Sequence, residues 1–403
     1  MNENLPLQNI PSIPSRAELK ENTISRKSLV KISVDASADS WIAKSMFGYS
    51  ILRNEDCKNI LSDSRWLSAV GLLADLNPYT TQEFKTRRKT GMLAVDGEPH
   101  KKLKKIANAA FSKDAVMKMD SEINRTFSEL INSFSPGDEF DISQKIFKKF
   151  PILVICDMIG LPRDRADDYS RWGENLLKNW ENNYRKSTEE ILTSQKEMDE
   201  YILSLIEERR NNPKDDLISR LVHPVDKSQN MSDEEIITFI ETITTAGIDT
   251  VFHQLGSVFL LIVNKQQIWN EYRDNPQSRS WIIDEVIRIT NAVHETGRIA
   301  SQDINYRNTM FPKGTIVFLN ITSANRDAFE FENPEDIQDG RKPNIAFGWG
   351  AHRCSGLFMA KAEITAAMNY IVENLPNIKV IDTPQYTKSN AAVYGPSSIM
   401  VRI

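Results

Sequence analysis

The chain has 403 residues, 26% charged and 40% apolar, the balance of a globular protein with a sizeable core. Its formal net charge of -5 argues against general nucleic-acid binding, which needs a basic face or stripe. Three widely spaced cysteines, Cys57, Cys156 and Cys354, form no disulfide framework and suit a reducing cytoplasm, and no apolar run approaches the roughly 18 residues of a membrane span.

Residues 1–25 are polar, interrupted by Pro6, Pro11 and Pro14, and carry no charged-then-apolar leader pattern. They are expected to form an extended arm, with 26–403 as a single domain. Residues 30–70 mix short β-type runs with a helix, in which Cys57, Ile60 and Leu61 share the apolar side. The stretch 71–92 has a proline and little period, and Arg87, Arg88 and Lys89 read as a solvated charge run. Asp96, Gly97 and Pro99 suggest a helix entry, with the helix running from about His100. There His100 and Lys104 share one face. Residues 120–225 are mostly amphipathic helix. PILVICDMIGLP is an apolar helix that buries Cys156 and stops at Gly160 and Pro162. From Asp164 to Arg210 two helices join near Trp180 to Arg185, and Trp172 and Trp180 read as packing residues, with a channel lining as the alternative.

Ser232 and Glu235 make a capping box, and a helical pattern without proline continues to about Asn264, roughly 50 Å at 1.5 Å per residue. The apolar run Val258 to Val263 lies inside it and reads as core. Its centre is AGIDT, Ala246 to Thr250. Gly247 costs a helix interior about 1 kcal/mol against alanine. Thr250 can turn its hydroxyl onto the carbonyl of Ala246 and open the helix locally, leaving a notch with room for dioxygen and a proton relay. Next, WIIDEVIRIT puts Glu285 and Arg288 three apart on one helix face, and NAVHETGRIASQD leads into a β region. In FGWGAHRCSG, Phe347 to Gly356, three glycines let the backbone turn sharply and approach a large flat ligand. Cys354 stands at the mouth of a helix over Leu357 to Leu375, where the N-terminal dipole favours a thiolate. A small buried hydrophobe is the bland alternative. A structural zinc site would need four ligands, and no paired cysteines occur elsewhere. The tail from Lys379 alternates like short strands, with Ala392 to Pro396 turning back towards the pocket.

Phe347, Gly350, Cys354 and Gly356 match the pattern F-x-x-G-x-x-x-C-x-G. With AGIDT and E-x-x-R ahead of it in the same order, the chain resembles the cytochrome P-450 family from about residue 40 to its end. The resemblance implies a mainly α fold with a smaller β-rich region, one triangular domain with its long central helix over haem. It implies haem b (iron protoporphyrin IX) with Cys354 as axial iron ligand, since a thiolate donates electron density that favours O–O cleavage. By the same resemblance His100, Lys104, Arg298 and His352 hold the propionates. Lys104 stands where arginine is usual and lacks its bidentate fork. Thr250 steadies the oxygen under reduction, and Asp249 delivers protons. Glu285 and Arg288 are a structural pair completed by a third residue, for which Arg326 is the candidate. Residues 71–92 roof the pocket, the helices of 164–210 form a lid, and Val293, His294 and Ala246 are candidate pocket walls. His294 and Glu295 are polar for that place, and the alternative turns them to solvent.

The implied reaction is a monooxygenation. Two electrons and two protons reduce dioxygen, one atom leaves as water, and the other enters a C–H bond, giving hydroxylation or, beside an ether oxygen, O-dealkylation such as O-demethylation. Electrons come from NAD(P)H through a ferredoxin reductase and a ferredoxin, which would dock on Lys101, Lys105, Arg341, Lys342 and Arg353. A cytoplasmic monomer with no membrane and no nucleic-acid partner is expected. Arg87, Arg88, His294 and Glu295 hint at an oxygenated substrate such as a sugar ether, an acid or a terpenoid. Two rivals stand beside this reading. One is a peroxide-driven haem-thiolate enzyme, whose members usually lack the acid–threonine pair. The other is a non-catalytic haem-binding protein, which needs no proton relay.

Overall fold

The computed structural model describes residues 10–14, 26–45, 48–180, 184–388 and 393–403. The expected arm 1–25 lies outside them except for 10–14. There Ile13 N donates to Lys44 O at 2.9 Å, and Lys44 N donates to Pro11 O at 2.7 Å. Beyond it come helix Arg26–Asp39, strands Ile42–Ser45 and Gly48–Ile51, helix Asn54–Ser62 and strand Trp66–Ser68, the β-and-helix mixture expected of this stretch.

These strands build a five-stranded sheet in the order Ile42–Ser45, Gly48–Ile51, Ile316–Asn320, Glu295–Ala300, Trp66–Ser68. Only the Gly48–Ile51 and Ile316–Asn320 pair runs parallel. The sheet packs on its own apolar cluster, with Trp41, Ile51, Trp66, Phe311 and Val317. Cys57 is buried in that cluster, and Cys156 in the larger helical core, as both patterns implied. The fold is mainly helical with a smaller β region.

The central helix, Asp233–Asn264, begins at the capping box. Ser232 N donates to Glu235 Oε2 at 2.8 Å, and Glu235 N donates to Ser232 Oγ at 3.2 Å. Among the described residues it is the one helix long and apolar enough to cross a membrane, and 61% of that stretch is buried in the core. It packs on helices Lys149–Ile159, Ala166–Leu177, Arg279–Thr290 and Leu357–Asn374. Gly247 serves this packing, because a Cβ there would meet Ile155 Cδ1 at 3.1 Å. Gln254 ties the helix to its neighbour by accepting from Ala292 N at 2.9 Å and donating to Thr290 Oγ1 at 3.1 Å.

The two helices expected between Asp164 and Arg210 are Ala166–Leu177 and Tyr184–Asn211, with a tight turn at Lys178–Trp180 between them. Trp172 is a packing residue. It is buried, and its Nε1 donates to Glu197 Oε2 at 2.7 Å. Residues 181–183 and the side chain of Trp180 lie outside the described residues.

Two sequence expectations need correction. Arg87 and Arg88 are not a solvated run. They end the short helix Gln82–Arg88 and turn inward to Glu241 on the central helix, which is 2% exposed. Arg88 Nη1 lies 2.5 Å from Glu241 Oε1, and Arg87 also pairs with Asp199 on helix Tyr184–Asn211. Gln195 bridges the two carboxylates, donating to each at 2.8 Å. A buried carboxylate at this depth requires such partners, and its two arginines sit over a hundred residues away in the chain. Only Lys89 stays outside, paired with Asp75 at 2.8 Å.

The second correction concerns the E-x-x-R pair. Arg288 grips Glu285 in a fork of two 2.8 Å bonds, with Arg288 fully buried. Its other donors reach Asn325 O, Pro334 O and Asp336 O. The third member is Arg341, whose Nε lies 2.9 Å from Glu285 Oε2. Arg326 instead pairs with Glu335 and donates to Ile289 O. Arg341 is thereby removed from the expected basic docking face as well.

Candidate functional site

Four elements converge on one charged cluster. Antiparallel pairing sets Ser68 opposite Arg298. Asp96, at the start of helix Gly97–Ala110, accepts from Ser68 N at 2.9 Å and lies 2.9 Å from His352 Nε2. His100, one turn into that helix, stacks on His352 with ring centroids 4.0 Å apart. Sequence reasoning read Asp96 only as a helix entry. Its carboxylate in fact joins the helix, the sheet and the cysteine loop. Burial opposes its ionisation, but the bonds from His352 and Ser68 prevail and hold it below the usual carboxylate range.

Positive charge gathers here. Burial, reinforced by His352, Lys104 and Arg298, lowers His100 to about 4, so its ring is neutral at pH 7. Arg298 is buried at 4% exposure and donates to Gly297 O at 2.8 Å. Among the described residues no carboxylate lies within ion-pair distance of it, and burial lowers it to about 10, with Asp96 opposing. A buried guanidinium without a counter-charge is costly, and an anionic group seated here would supply one.

The cysteine loop is held by its backbone. Cys354 N donates to Phe347 O at 2.8 Å, and Gly348 N to Ile345 O at 2.9 Å. Gly350 takes φ +68°, and a Cβ there would meet Leu61 O at 2.1 Å, so no other residue fits. Lys104 donates to Arg353 O, fixing the peptide just ahead of Cys354. Cys354 is exposed yet hemmed in enough that desolvation pushes its thiol up. The N–H groups of Gly356 and Leu357 and the charge of Lys104 pull the other way, which limits the rise without cancelling it.

On the central helix, Thr250 Oγ1 donates to Ala246 O at 2.6 Å, the bond expected from the sequence. Ala246 is exposed although it lies mid-helix, so the helix surface is open at this turn. Asp249 is raised to about 7, by burial first and then by Glu174, with Lys148 opposing.

The model of the family described as Cytochrome P-450 matches residues 73–278 and 279–377. The chain belongs to the cytochrome P-450 family. It is a monooxygenase of that family and resembles several bacterial members over most of its length. One is the polyketide biosynthesis cytochrome P-450 PksS of Bacillus subtilis, 28% identical over 364 residues, 88% of each chain. Another is the mycinamicin IV hydroxylase/epoxidase of Micromonospora griseorubida, 26% identical over 82% of each. In structure it superposes on P-450BioI, solved in complex with a hexadec-9Z-enoic acid ligated acyl carrier protein. The TM-score is 0.87 at 23% identity, covering 94% of this chain and 99% of that one.

The family implies a haem-thiolate cofactor, and this P-450 has residues that fit it. An exposed sulfur backed by N–H donors, a carboxylate-free buried Arg298 and an exposed Ala246 beside Thr250 suit a flat, dianionic, metal-bearing ring. His100, His352 and Arg298 lie in one cluster around Asp96, which bonds His352. Lys104 is committed to the Arg353 carbonyl. Val293 bridges Val393. Tyr394 N donates to Ala292 O at 3.0 Å, so the described part of the returning tail does meet this region. His294 Nδ1 lies 2.7 Å from Thr322 Oγ1, and with Glu295 it lines a small cleft against helix Arg26–Asp39.

Proposed function

We propose that residues 26–403 act as one catalytic domain, a cytoplasmic monooxygenase that binds haem b through Cys354 and oxidises a C–H bond of a medium-sized organic molecule. Haem, when bound, supplies dioxygen activation and oxygen-atom transfer. The chain supplies the rest. Cys354 would donate charge to the iron, while Arg298 would supply the counter-charge of the propionates, His100 and His352 would orient them, and Lys104 would fix the loop that carries the sulfur. Thr250 presents its hydroxyl at the exposed turn, and Asp249 holds a proton near neutral pH beside it. The Thr250–Ala246 bond next to that carboxyl carries the reading, because a peroxide-driven enzyme needs no such pair.

Relatives named for polyketide tailoring and for acyl carrier protein binding favour a polyketide-like or acyl substrate, taken by hydroxylation or epoxidation. This replaces the polar substrate suggested by Arg87 and Arg88, whose charges are spent on Glu241 and Asp199. Electrons enter from NAD(P)H through a ferredoxin reductase and a ferredoxin. Lys101, Lys105 and Lys342 each face a carboxylate, so exposed Arg353 and Phe358 beside the sulfur loop are the docking contacts.

A compound library is screened for the low-to-high spin shift of the ferric protein, and hits are turned over with ferredoxin, reductase and NAD(P)H or with peroxide alone. The reading requires product from the electron chain, and uncoupled oxygen consumption in Thr250→Ala. Product from peroxide only would overturn it.

A further inference from the structure

His253 and Gln254 follow Thr250 on the central helix within about one turn. Consecutive helix residues point about 100° apart, and these two reach different neighbours. Gln254 turns to the exit of helix Arg279–Thr290. It accepts from Ala292 N at 2.9 Å and donates to Thr290 Oγ1 at 3.1 Å and to Thr290 O at 3.3 Å. His253 turns to the returning tail, where its Nδ1 lies 3.0 Å from Pro396 O. A carbonyl only accepts, so Nδ1 carries the ring proton. Burial lowers the ring to about 4 against that bond, so it is neutral at pH 7.

Two glycines bring the tail this close. A Cβ on Gly395 would meet His253 Cβ at 2.6 Å and His253 O at 2.7 Å, and one on Gly256 would meet Pro396 Cβ at 3.4 Å. The tail turn is therefore seated on the helix backbone. The two tethered segments also pair with each other, Val293 bridging Val393 and Tyr394 N donating to Ala292 O at 3.0 Å. Beyond its tether the first segment enters strand Glu295–Ala300, where Arg298 Nη1 reaches back to Thr296 Oγ1 at 3.4 Å. It thus starts about one turn past Thr250 and ends at the buried guanidinium of the charged cluster, bordering the site along its length. Val293 and Val393 are half-buried on this border.

We infer that His253 and Gln254 form a clamp that sets how far the paired segments 292–294 and 393–396 stand into the pocket, and thereby which carbon of the substrate is presented for oxidation. The clamp holds backbone atoms, a carbonyl on one segment and an amide on the other, so it fixes the wall whatever side chains the wall displays. Small displacements of a bound substrate weigh heavily on which atom reacts. Both residues are positioning residues, since neither touches the reacting atoms. The inference rests on the monooxygenase reading, and one arm of its test needs no turnover.

That arm is an absorbance titration of the ferric, haem-loaded full chain with imidazole and with 4-phenylimidazole. His253→Leu removes the donor, whereas His253→Asn, of similar size, keeps an N–H in the place of Nδ1. His253→Leu should leave imidazole binding unchanged, since that ligand is too small to meet the wall. It should weaken 4-phenylimidazole roughly three- to tenfold, the factor of one hydrogen bond, and His253→Asn should restore it. Gly395→Ala lifts the same turn from the tail side and should give the same change, so the test stands even where His253→Leu does not fold. The second arm is turnover of a spin-shift hit. Products should spread over more carbon positions in His253→Leu and Gly395→Ala and return to the wild-type ratio in His253→Asn. Unmoved 4-phenylimidazole binding or an unmoved product ratio in both His253→Leu and Gly395→Ala overturns the clamp. So does equal loss of both azoles, or a His253→Asn variant that behaves like His253→Leu. Shifted azole binding without any oxygenated product would leave the clamp standing and count against the monooxygenase reading.

Discussion

At the scale of single residues, the site depends on charges placed where water is scarce. Asp249 shows how that reads out in pH. Its folded value of about 7 lies above the ordinary 3.8, so folding favours the neutral carboxyl. The stabilisation from that preference is complete below 3.8 and is lost as pH rises through 7. Product formed per NAD(P)H should therefore fall as pH climbs past about 7, and Asp249→Asn should flatten that limb, measured as product against cofactor consumed. Arg298 supplies a binding test. A bond between a charged donor and an anion contributes about 1.5–3 kcal/mol, so Arg298→Leu should weaken haem retention roughly ten- to a hundredfold, followed as haem transfer to apomyoglobin. Cys354→Ser should abolish the red-shifted Soret band of the reduced carbon-monoxide complex. An unchanged band would refute the ligand assignment.

Single elements carry a second set of consequences. The Glu285–Arg288 fork belongs to helix Arg279–Thr290, but its remaining bonds go to the segment 325–341. Arg288→Met leaves a buried carboxylate with less support and should cost about 3–5 kcal/mol, read as a shift in urea midpoint at unchanged slope. Double-mutant cycles should find coupling between Glu285 and Arg341 and none between Glu285 and Arg326. Helices Gln82–Arg88 and Tyr184–Asn211 are fastened to the central helix by Arg87, Arg88, Asp199, Gln195 and Glu241. Glu241→Gln removes the charge both arginines share. Amide exchange should then quicken in both 82–91 and 190–200, since the two segments are joined through one acid.

Across the whole molecule, the motifs legible in sequence are those whose chemistry fits within ten residues. The capping box, the Thr250 hydroxyl bond and the turns around Cys354 are local, and each formed where its pattern placed it. Partners far along the chain were not legible. Asp96 meets His352 from 256 residues away, and nothing near Arg87 or Arg88 announces Glu241. The third arginine of the E-x-x-R cluster was misplaced for the same reason, because two arginines stand in one irregular segment and only the fold chooses between them. The wedge of Gly350 against the Leu61 carbonyl, with Lys58 Nζ 5.0 Å from the Trp349 ring centre, has one more implication. The sulfur-bearing turn takes its shape from a wall that lies far earlier in the chain. A chain that has made the wall but not yet the turn cannot close this contact, so pigment capture has to follow a long-range folding step.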